Sequence, residues 1–402
     1  MNKDQLHHLL MAHEEIKGRY IYSPLVSQWS EKVSEESFIQ DLQKSVLMNK
    51  SLDIYIHVPF CHELCTFCGC NIQVTNSKEQ NDSFVATILK EWNSLKSFIP
   101  SENIRSISIG GGTPTFLSPH LIEKLFLSIA PNSWKQIEID PRYASDDHFK
   151  MFANVGLNRI NVGIQDLNPN VLKVVNRNQS PLDIERIFNL ALKNKIEETS
   201  VDLIFGLPKQ DPRDAAHAIN KLMQFGPDLV HLYPLAVLPW LQDSQRAYGH
   251  FELPSLDSKW MNYIEMRNAL IENNYAHQGM GHYLKKDRKI YELALTKSIS
   301  RQLMGILPFK FGPYLGLGPG SLSGTGQILS QNEKITEKYA YLVNKEGSAR
   351  FNSHLQTAQE RNRTKAYQEL FVEHLSQHEH LSSHGKLTEL GIELMKVVAQ
   401  EI

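Results

Sequence analysis

The chain has no cysteine outside one ten-residue stretch, and only four within it: Cys61, Cys65, Cys68 and Cys70. With nothing distant to pair with, they rule out a disulfide scaffold. No apolar run approaches the roughly 20 residues of a membrane-spanning helix. The opening Met-Asn-Lys-Asp-Gln-Leu-His-His lacks the apolar core of a signal peptide, so a reducing cytoplasm is the expected setting. Charge of one sign is also missing. The 42 Lys and Arg nearly balance 44 Asp and Glu, leaving a net −2. That argues against nucleic-acid binding and leaves a small anionic substrate open. Short repeats and low-complexity tracts are absent. With 41% hydrophobic and 21% charged residues, the chain reads as an ordinary globular protein that can bury a large core.

The cysteines are spaced C-x3-C-x2-C-x-C and follow Leu52-Asp-Ile-Tyr-Ile-His-Val-Pro-Phe60. That aliphatic and aromatic run reads as a strand with a proline stop. The thiols then sit on a loop at the carboxyl end of a strand, where α/β folds carry their chemistry. A structural zinc is one reading, although zinc usually draws ligands from two separated pairs. An iron–sulfur cluster fits better, because three thiolates can hold three irons of a cubane and leave the fourth open.

From Leu52 onward strands alternate with helices. The expected strands are residues 52–60, 104–109, 136–140, 159–165, 200–208 and 229–233. Helices are expected over 83–97, 118–129, 146–155, 181–194 and 211–225, several opened by Ser-Pro or closed by Gly. The alternation predicts an α/β fold with a parallel sheet and right-handed crossovers, curled as an open three-quarter (β/α)6 barrel. The cysteine loop, Gly110–Thr115, Gln165, Gly206–Pro208 and Ala236–Pro239 would then share one rim. Residues 1–50 read as a polar N-terminal arm, 51–255 as the barrel, 256–350 as a barrel extension with substrate-covering loops, and 351–402 as a small, mostly helical C-terminal module. Within the extension, 257–274 reads as an amphipathic helix, and 279–283 and 316–321 as glycine-rich loops.

The cysteine spacing, with Phe67 before the third thiol, resembles the radical S-adenosylmethionine (SAM) superfamily. Ile56-His-Val-Pro-Phe-Cys61, Cys68-Gly-Cys-Asn71, Gly110-Gly-Gly-Thr-Pro-Thr115, Glu138-Ile-Asp-Pro-Arg142, Asn161-Val-Gly-Ile-Gln-Asp166, Val175-Asn-Arg177 and Asp202-Leu-Ile-Phe-Gly-Leu-Pro-Lys209 resemble the anaerobic coproporphyrinogen III oxidase (dehydrogenase) family over about residues 15–350. The resemblance implies that Cys61, Cys65 and Cys68 bind a [4Fe–4S] cluster and that Cys70 does not. It implies that Tyr55, Gly111 and Glu138 hold the cluster-bound SAM. Phe67, Gly112, Thr113, Gln165, Arg177, Asp202, Ala236 and Leu322 match positions around a second SAM. Elementary chemistry agrees: glycines admit a ligand close to the backbone, Glu138 can accept from an ammonium, and Arg177 can pair a carboxylate. His57 is a candidate acid or supporting donor, or equally a buried structural histidine. Arg19, Arg301 and Lys209 are candidates for the substrate's propionates, with Arg19 and Arg301 folding over the rim.

Each residue also has a plain structural reading. Gly110–Gly112 could be a bare turn, Glu138 an outward strand residue, and Arg177 and Asp202 an ordinary surface pair. The chain departs from the family pattern at Tyr233-Pro-Leu-Ala236, at Gly281 before His282-Tyr283, and at Arg301-Gln-Leu-Met-Gly305.

The implied activity is oxidative decarboxylation of two propionates of coproporphyrinogen III to vinyl groups, giving protoporphyrinogen IX in anaerobic haem biosynthesis. A 5′-deoxyadenosyl radical would take hydrogen from each propionate β-carbon. An external electron donor and acceptor are implied, and a monomer is expected. The alternatives are a radical SAM methyltransferase or haem-modifying enzyme of the same family, and a haem chaperone.

Overall fold

In a computed structural model, residues 3–12, 24–29, 31–237, 245–246, 253–303, 305–374, 382–384, 386–393 and 395 are described. Six parallel strands follow one another in chain order: Leu52–Val58, Ile104–Gly111, Trp134–Ile139, Arg159–Gln165, Glu198–Phe205 and Leu229–Pro234. We call these the first to sixth strands. Helices Asn81–Leu95, Pro119–Ile129, Asp146–Asn154, Pro181–Lys193 and Pro212–Leu222 connect them. The six belong to a 12-stranded sheet. Tyr314–Leu317 adds in parallel beside the first strand, and antiparallel strands extend both edges, His282–Lys285 beside the sixth strand and Leu322–Gly324 beside Tyr314–Leu317. The predicted open (β/α)6 arrangement is present.

The strands alternate between two environments. Ile54, Ile56, Val58, Ile107, Ile109, Ile137, Ile139, Ile160, Val162, Ile164, Val201, Leu203, Phe205, Val230 and Leu232 all enter one core with the covering helices. The residues between them are largely polar. Cross-strand register aligns them in rows: Ser108, Gln136, Arg159, Glu198, then Glu138, Asn161, Ser200, then Asp202 beside His231. A parallel sheet covered on both faces normally reads as unbroken apolar runs. Here one face packs against helices and the other is polar. Buried polar groups must find partners, so the partnering of this face shows where a ligand belongs.

Three regions differ from the sequence-based expectation. The N-terminal arm carries helices, Lys3–Ala12 and Glu35–Asn49. Leu6 and Leu10, and Phe38, Leu42 and Val46, recur at four-residue spacing on buried faces. The glycine-rich stretches 279–283 and 316–321 contain strand ends and turns. Gly279, Gly281, Gly318 and Gly320 have positive φ, the turn geometry that glycine permits, between strands Tyr275–Gly279 and His282–Lys285 and after Tyr314–Leu317. Finally, Arg350–Leu355 pairs with Ile328–Asn332 as part of the main sheet, ahead of the helix Ala358–Glu373.

Candidate active site

The cysteine loop runs between two short parallel strands, Phe60–Cys61 and Gln73–Val74, at the carboxyl end of the first strand. Cys61 and Cys65 are buried, Cys68 is half-buried and Cys70 is exposed; all are free thiols. Cys61 is close enough to Cys65 and Cys68 for their charges to act on it, after burial and the Thr113 hydroxyl, which lies 3.5 Å from its sulfur. Burial pushes the Cys61 thiol up to about 12.

Neighbouring loops fix the cysteine loop. Gly112 N–H donates to the Val58 carbonyl and Thr113 N–H to that of Phe60, both at 2.8 Å. A Cβ on Gly112 would lie 2.8 Å from the Cys61 sulfur, so only glycine lets this turn sit against the thiol. From the other side, Thr66 N–H donates to the Val175 carbonyl at 3.1 Å and Asn176 Nδ2 to that of Leu64 at 2.9 Å.

The first strand aims Tyr55 and His57 at the same region. The Tyr55 hydroxyl lies 2.9 Å from His57 Nδ1, and His57 Nε2 lies 2.8 Å from the Asn71 carbonyl. A carbonyl only accepts, so Nε2 carries the proton and Nδ1 accepts from Tyr55. Burial holds the His57 pKa below its ordinary value, against the Asn71 bond. The neutral imidazole therefore ties Tyr55 to the residue following the last cysteine.

Glu138, half-buried on the third strand, accepts from Gly111 N–H at 2.9 Å. Gly111 has φ +118°, and a Cβ there would lie 2.8 Å from His57 Cε1. Burial raises Glu138 to about 7, against the Gly111 bond, with Asp202 and Cys68 adding to the rise. Gln165 ends the fourth strand in the left-handed region, φ 69°, at a register shift between Gly163 and Gln165. Such a bulge re-aims the side chain. Asp202 on the fifth strand is 2.8 Å from Nδ1 of His231 on the sixth.

The comparisons with known proteins fit this geometry. The Radical SAM superfamily pattern matches residues 55–222. The solved structure of coproporphyrinogen III oxidase HemN from Escherichia coli, described as a radical SAM enzyme, superposes with a TM-score of 0.83 at 28% identity, covering 89% of this chain and 83% of that one. The oxygen-independent coproporphyrinogen III oxidase of Helicobacter pylori is 31% identical over 335 residues, 80% of this chain and 72% of that protein. Its counterpart in Escherichia coli is 30% identical over 337 residues, 82% of this chain and 73% of that protein. The chain belongs to the oxygen-independent coproporphyrinogen III oxidase family.

A radical SAM protein of this family uses a [4Fe–4S] cluster and SAM, and the thiols fit the cluster. Cys65 and Cys68 both lie close enough to Cys61 for their charges to act on it. A cubane takes one thiolate on each of three irons, which three neighbouring thiols can supply.

The other family positions are spread around the same rim. Phe67 packs on a small cluster of Val171, Val175, Ile204, Leu207 and Leu235. The exposed Ala236 offers its carbonyl to Gln245 Nε2 at 2.9 Å. Leu322 opens a strand that pairs with Ile328–Asn332. Arg177 and Asp202 do not pair with each other. Arg177 is buried, 3.2 Å from Asp140 and 3.7 Å from the Cys65 sulfur. Lys209 is exposed, with φ 64°.

Arg19 lies outside the described residues. Arg301 is on a hairpin, Ser300–Gln302 with Gly305–Leu307, and lies close enough to His282, beside His231, for its charge to act there. Gln302 donates to Asp53 at 2.7 Å and Arg159 donates to the Ile306 carbonyl, so the hairpin meets the amino-terminal ends of the strands. The reason is local: Asp53 and Arg159 are buried charges that need partners there. Sequence reasoning assigned no role to Asp140, Arg142, Asn71 or His231. The Asp-x-Arg pattern at 140–142 was visible, but its partners lie on other loops.

Proposed function

We infer that this protein catalyses the radical SAM oxidative decarboxylation of two propionate side chains of coproporphyrinogen III to vinyl groups, yielding protoporphyrinogen IX. The observation that carries this reading is the placement of the thiols. Three of them gather at the carboxyl rim of a barrel whose inner face is polar, in a chain that matches family members along most of its length.

Cys61, Cys65 and Cys68 would hold the cluster and Cys70 would stay outside it. Bound there, the cluster and SAM supply one-electron cleavage of SAM and, through it, hydrogen-atom abstraction. Glu138 takes the ammonium of this SAM, and the Cβ-free Gly111 leaves room for it. The His57 imidazole, with both nitrogens engaged, holds Tyr55 in orientation. Phe67, Gly112, Thr113, Gln165, Arg177, Asp202, Ala236 and Leu322 surround a second SAM. Arg19, Arg301 and Lys209 answer the propionates, since a carboxylate leaving water needs a cation. The electron donor and acceptor are external, the working unit is a monomer, and a reducing cytoplasm keeps the thiols free. Among the described residues no helix is long and apolar enough to cross a membrane.

Anaerobic incubation of cluster-loaded protein with reductant, SAM, coproporphyrinogen III and a one-electron acceptor for the substrate radical tests this. Vinyl-bearing porphyrinogen with carbon dioxide is the expected product. S-adenosylhomocysteine would turn the reading to a methyltransferase, and tight haem binding without turnover to a chaperone.

A further inference from the structure

The turn Asp140-Pro141-Arg142, just beyond the third strand, has no part in the account above. The Arg142 side chain is only 9% exposed, and its whole fork is engaged. Nε and Nη2 donate to the two oxygens of Asp140 at 3.0 and 2.8 Å, and Nη1 donates to Glu63 at 3.0 Å. Glu63 belongs to the cysteine loop itself, between Cys61 and Cys65. Nη2 also lies 4.0 Å from the Cys65 sulfur. The plane stacks over the Tyr143 ring at 4.9 Å, and that ring packs on His62 of the same loop at 4.2 Å.

Arg177 approaches the same sulfur from the loop after the fourth strand, with Nη1 at 3.7 Å. It shares Asp140 with Arg142, at 3.2 Å. Cys65 thus faces two guanidiniums. Asp140 and Glu63 balance their charges overall, but it is the two cations that touch the sulfur. Burial works to raise the Asp140 carboxyl, but Arg177 and Arg142 hold it below the ordinary range, so Asp140 stays ionised and both forks stay fixed. For Cys61 the nearest partner is a neutral hydroxyl, that of Thr113.

We propose that Arg142 is a positioning residue of the cluster loop. Through Asp140 and Glu63 it clamps the loop and brings a second guanidinium to the Cys65 sulfur, stabilising the cluster in its reduced state. The proposal rests on the reading that Cys61, Cys65 and Cys68 hold the cluster. Adding one electron from an external donor adds one negative charge to a buried, thiolate-bound centre. A fixed cation beside a ligating sulfur stabilises the reduced form more than the oxidised form and raises the potential. The clamp and the charge are separable. Lysine can supply a point charge but cannot grip two carboxylates in one plane.

The test uses full-length, anaerobically reconstituted protein and two measurements independent of turnover. These are an EPR-monitored redox titration of the cluster and the rate of iron release to a chelator. Arg142→Gln should lower the reduced-to-oxidised ratio at a fixed potential at least about tenfold, about 59 mV for one electron, and release iron faster. Arg142→Lys should keep most of the potential and still release iron faster. Glu63→Gln should speed release without lowering the potential, because it removes an anion from the group and leaves the cation of Arg142 in place. An unchanged potential in Arg142→Gln, or an equal drop in Arg142→Lys, overturns the proposal. A Cys65→Ala control with undiminished cluster would overturn the ligand assignment instead, so the two failures are distinguishable. If Arg142→Gln does not fold, the Lys and Glu63→Gln variants still decide the clamp, and an unchanged release rate in both rejects it.

Discussion

Glu138 offers the sharpest test of how SAM is held, because its charge is conditional. In the ligand-free protein burial raises its pKa to about 7, so at neutral pH only half the carboxyls carry charge. An ammonium needs the charged form, and its apparent affinity scales with the fraction ionised. That fraction rises about fivefold between roughly pH 6 and pH 7, whereas a carboxyl with an ordinary pKa near 4.3 would change by a few per cent. The α-amine of SAM titrates near 7.7–8.0, above this window. Wild-type SAM binding, measured anaerobically on cluster-loaded protein with iron quantified at each pH, should tighten about fivefold across it. Glu138→Gln should bind more weakly and with no slope. Linkage gives a second readout. The unfolded carboxyl loses its proton near its ordinary value and the folded one near 7. Stability of the ligand-free protein therefore falls as pH rises between those values and stays lower above 7. Converted at 1.36 kcal/mol per unit, the cost is up to about 3 kcal/mol. Glu138→Gln should recover much of that at about pH 8 and nothing near pH 4.5. A flat wild-type profile, or a sloped Glu138→Gln profile, would refute the assignment of the ammonium to Glu138.

Other outcomes follow from the same geometry. Single Cys61, Cys65 or Cys68→Ala variants should lose cluster iron and sulfide while Cys70→Ala keeps both; loss in Cys70→Ala would make it a ligand. Gly112→Ala places a methyl 2.8 Å from the Cys61 sulfur, and cluster incorporation should drop severalfold with the fold retained by circular dichroism. Glu91 is fully buried and accepts from Tyr339 at 2.7 Å, Asn332 at 2.6 Å and the Gly318 amide at 3.0 Å. Tyr339→Phe should lower stability by about 1–3 kcal/mol in denaturant titrations, the cost of leaving a buried acceptor short of a partner. Arg19→Ala and Arg301→Ala should raise the KM for porphyrinogen while sparing SAM cleavage without substrate; unchanged KM in both would remove them from the substrate site.

The six strands and their helices were legible because the strands are bounded by Gly, Pro and helix caps, and because one face must stay aliphatic to meet the helices. Isoleucines 54, 56, 107, 109, 137, 139, 160 and 164 mark that face. The added strands between residues 275 and 355 were not legible. They are three to six residues long, separated by glycines whose positive φ shapes turns that resemble loops in sequence. The individual motifs at the site were readable, but their joins were not. Nothing local says that Asp140 serves both Arg142 and Arg177, or that the Asn71 carbonyl fixes the tautomer of His57. Those contacts connect loops brought together only when the sheet curls.

The polar face is partnered differently at its two ends. At the amino-terminal end its charges already serve one another. Arg159 bonds Glu198 at 2.7 Å and lies over Trp134 at 4.9 Å, while Asp53 accepts from Gln302, Ser106 and Arg105. A hairpin seals that end, and a ligand there would have to break formed bonds. At the carboxyl end the strands finish in Gly111, in Gln165 held left-handed, and in Glu138 with a raised pKa and one amide partner. Leaving a carboxyl in that state costs the free protein stability, about 3 kcal/mol at neutral pH and above. A cationic group that restores its charge recovers this on binding. The same six strands thus form a self-sufficient floor and a mouth whose charges are completed by what enters it.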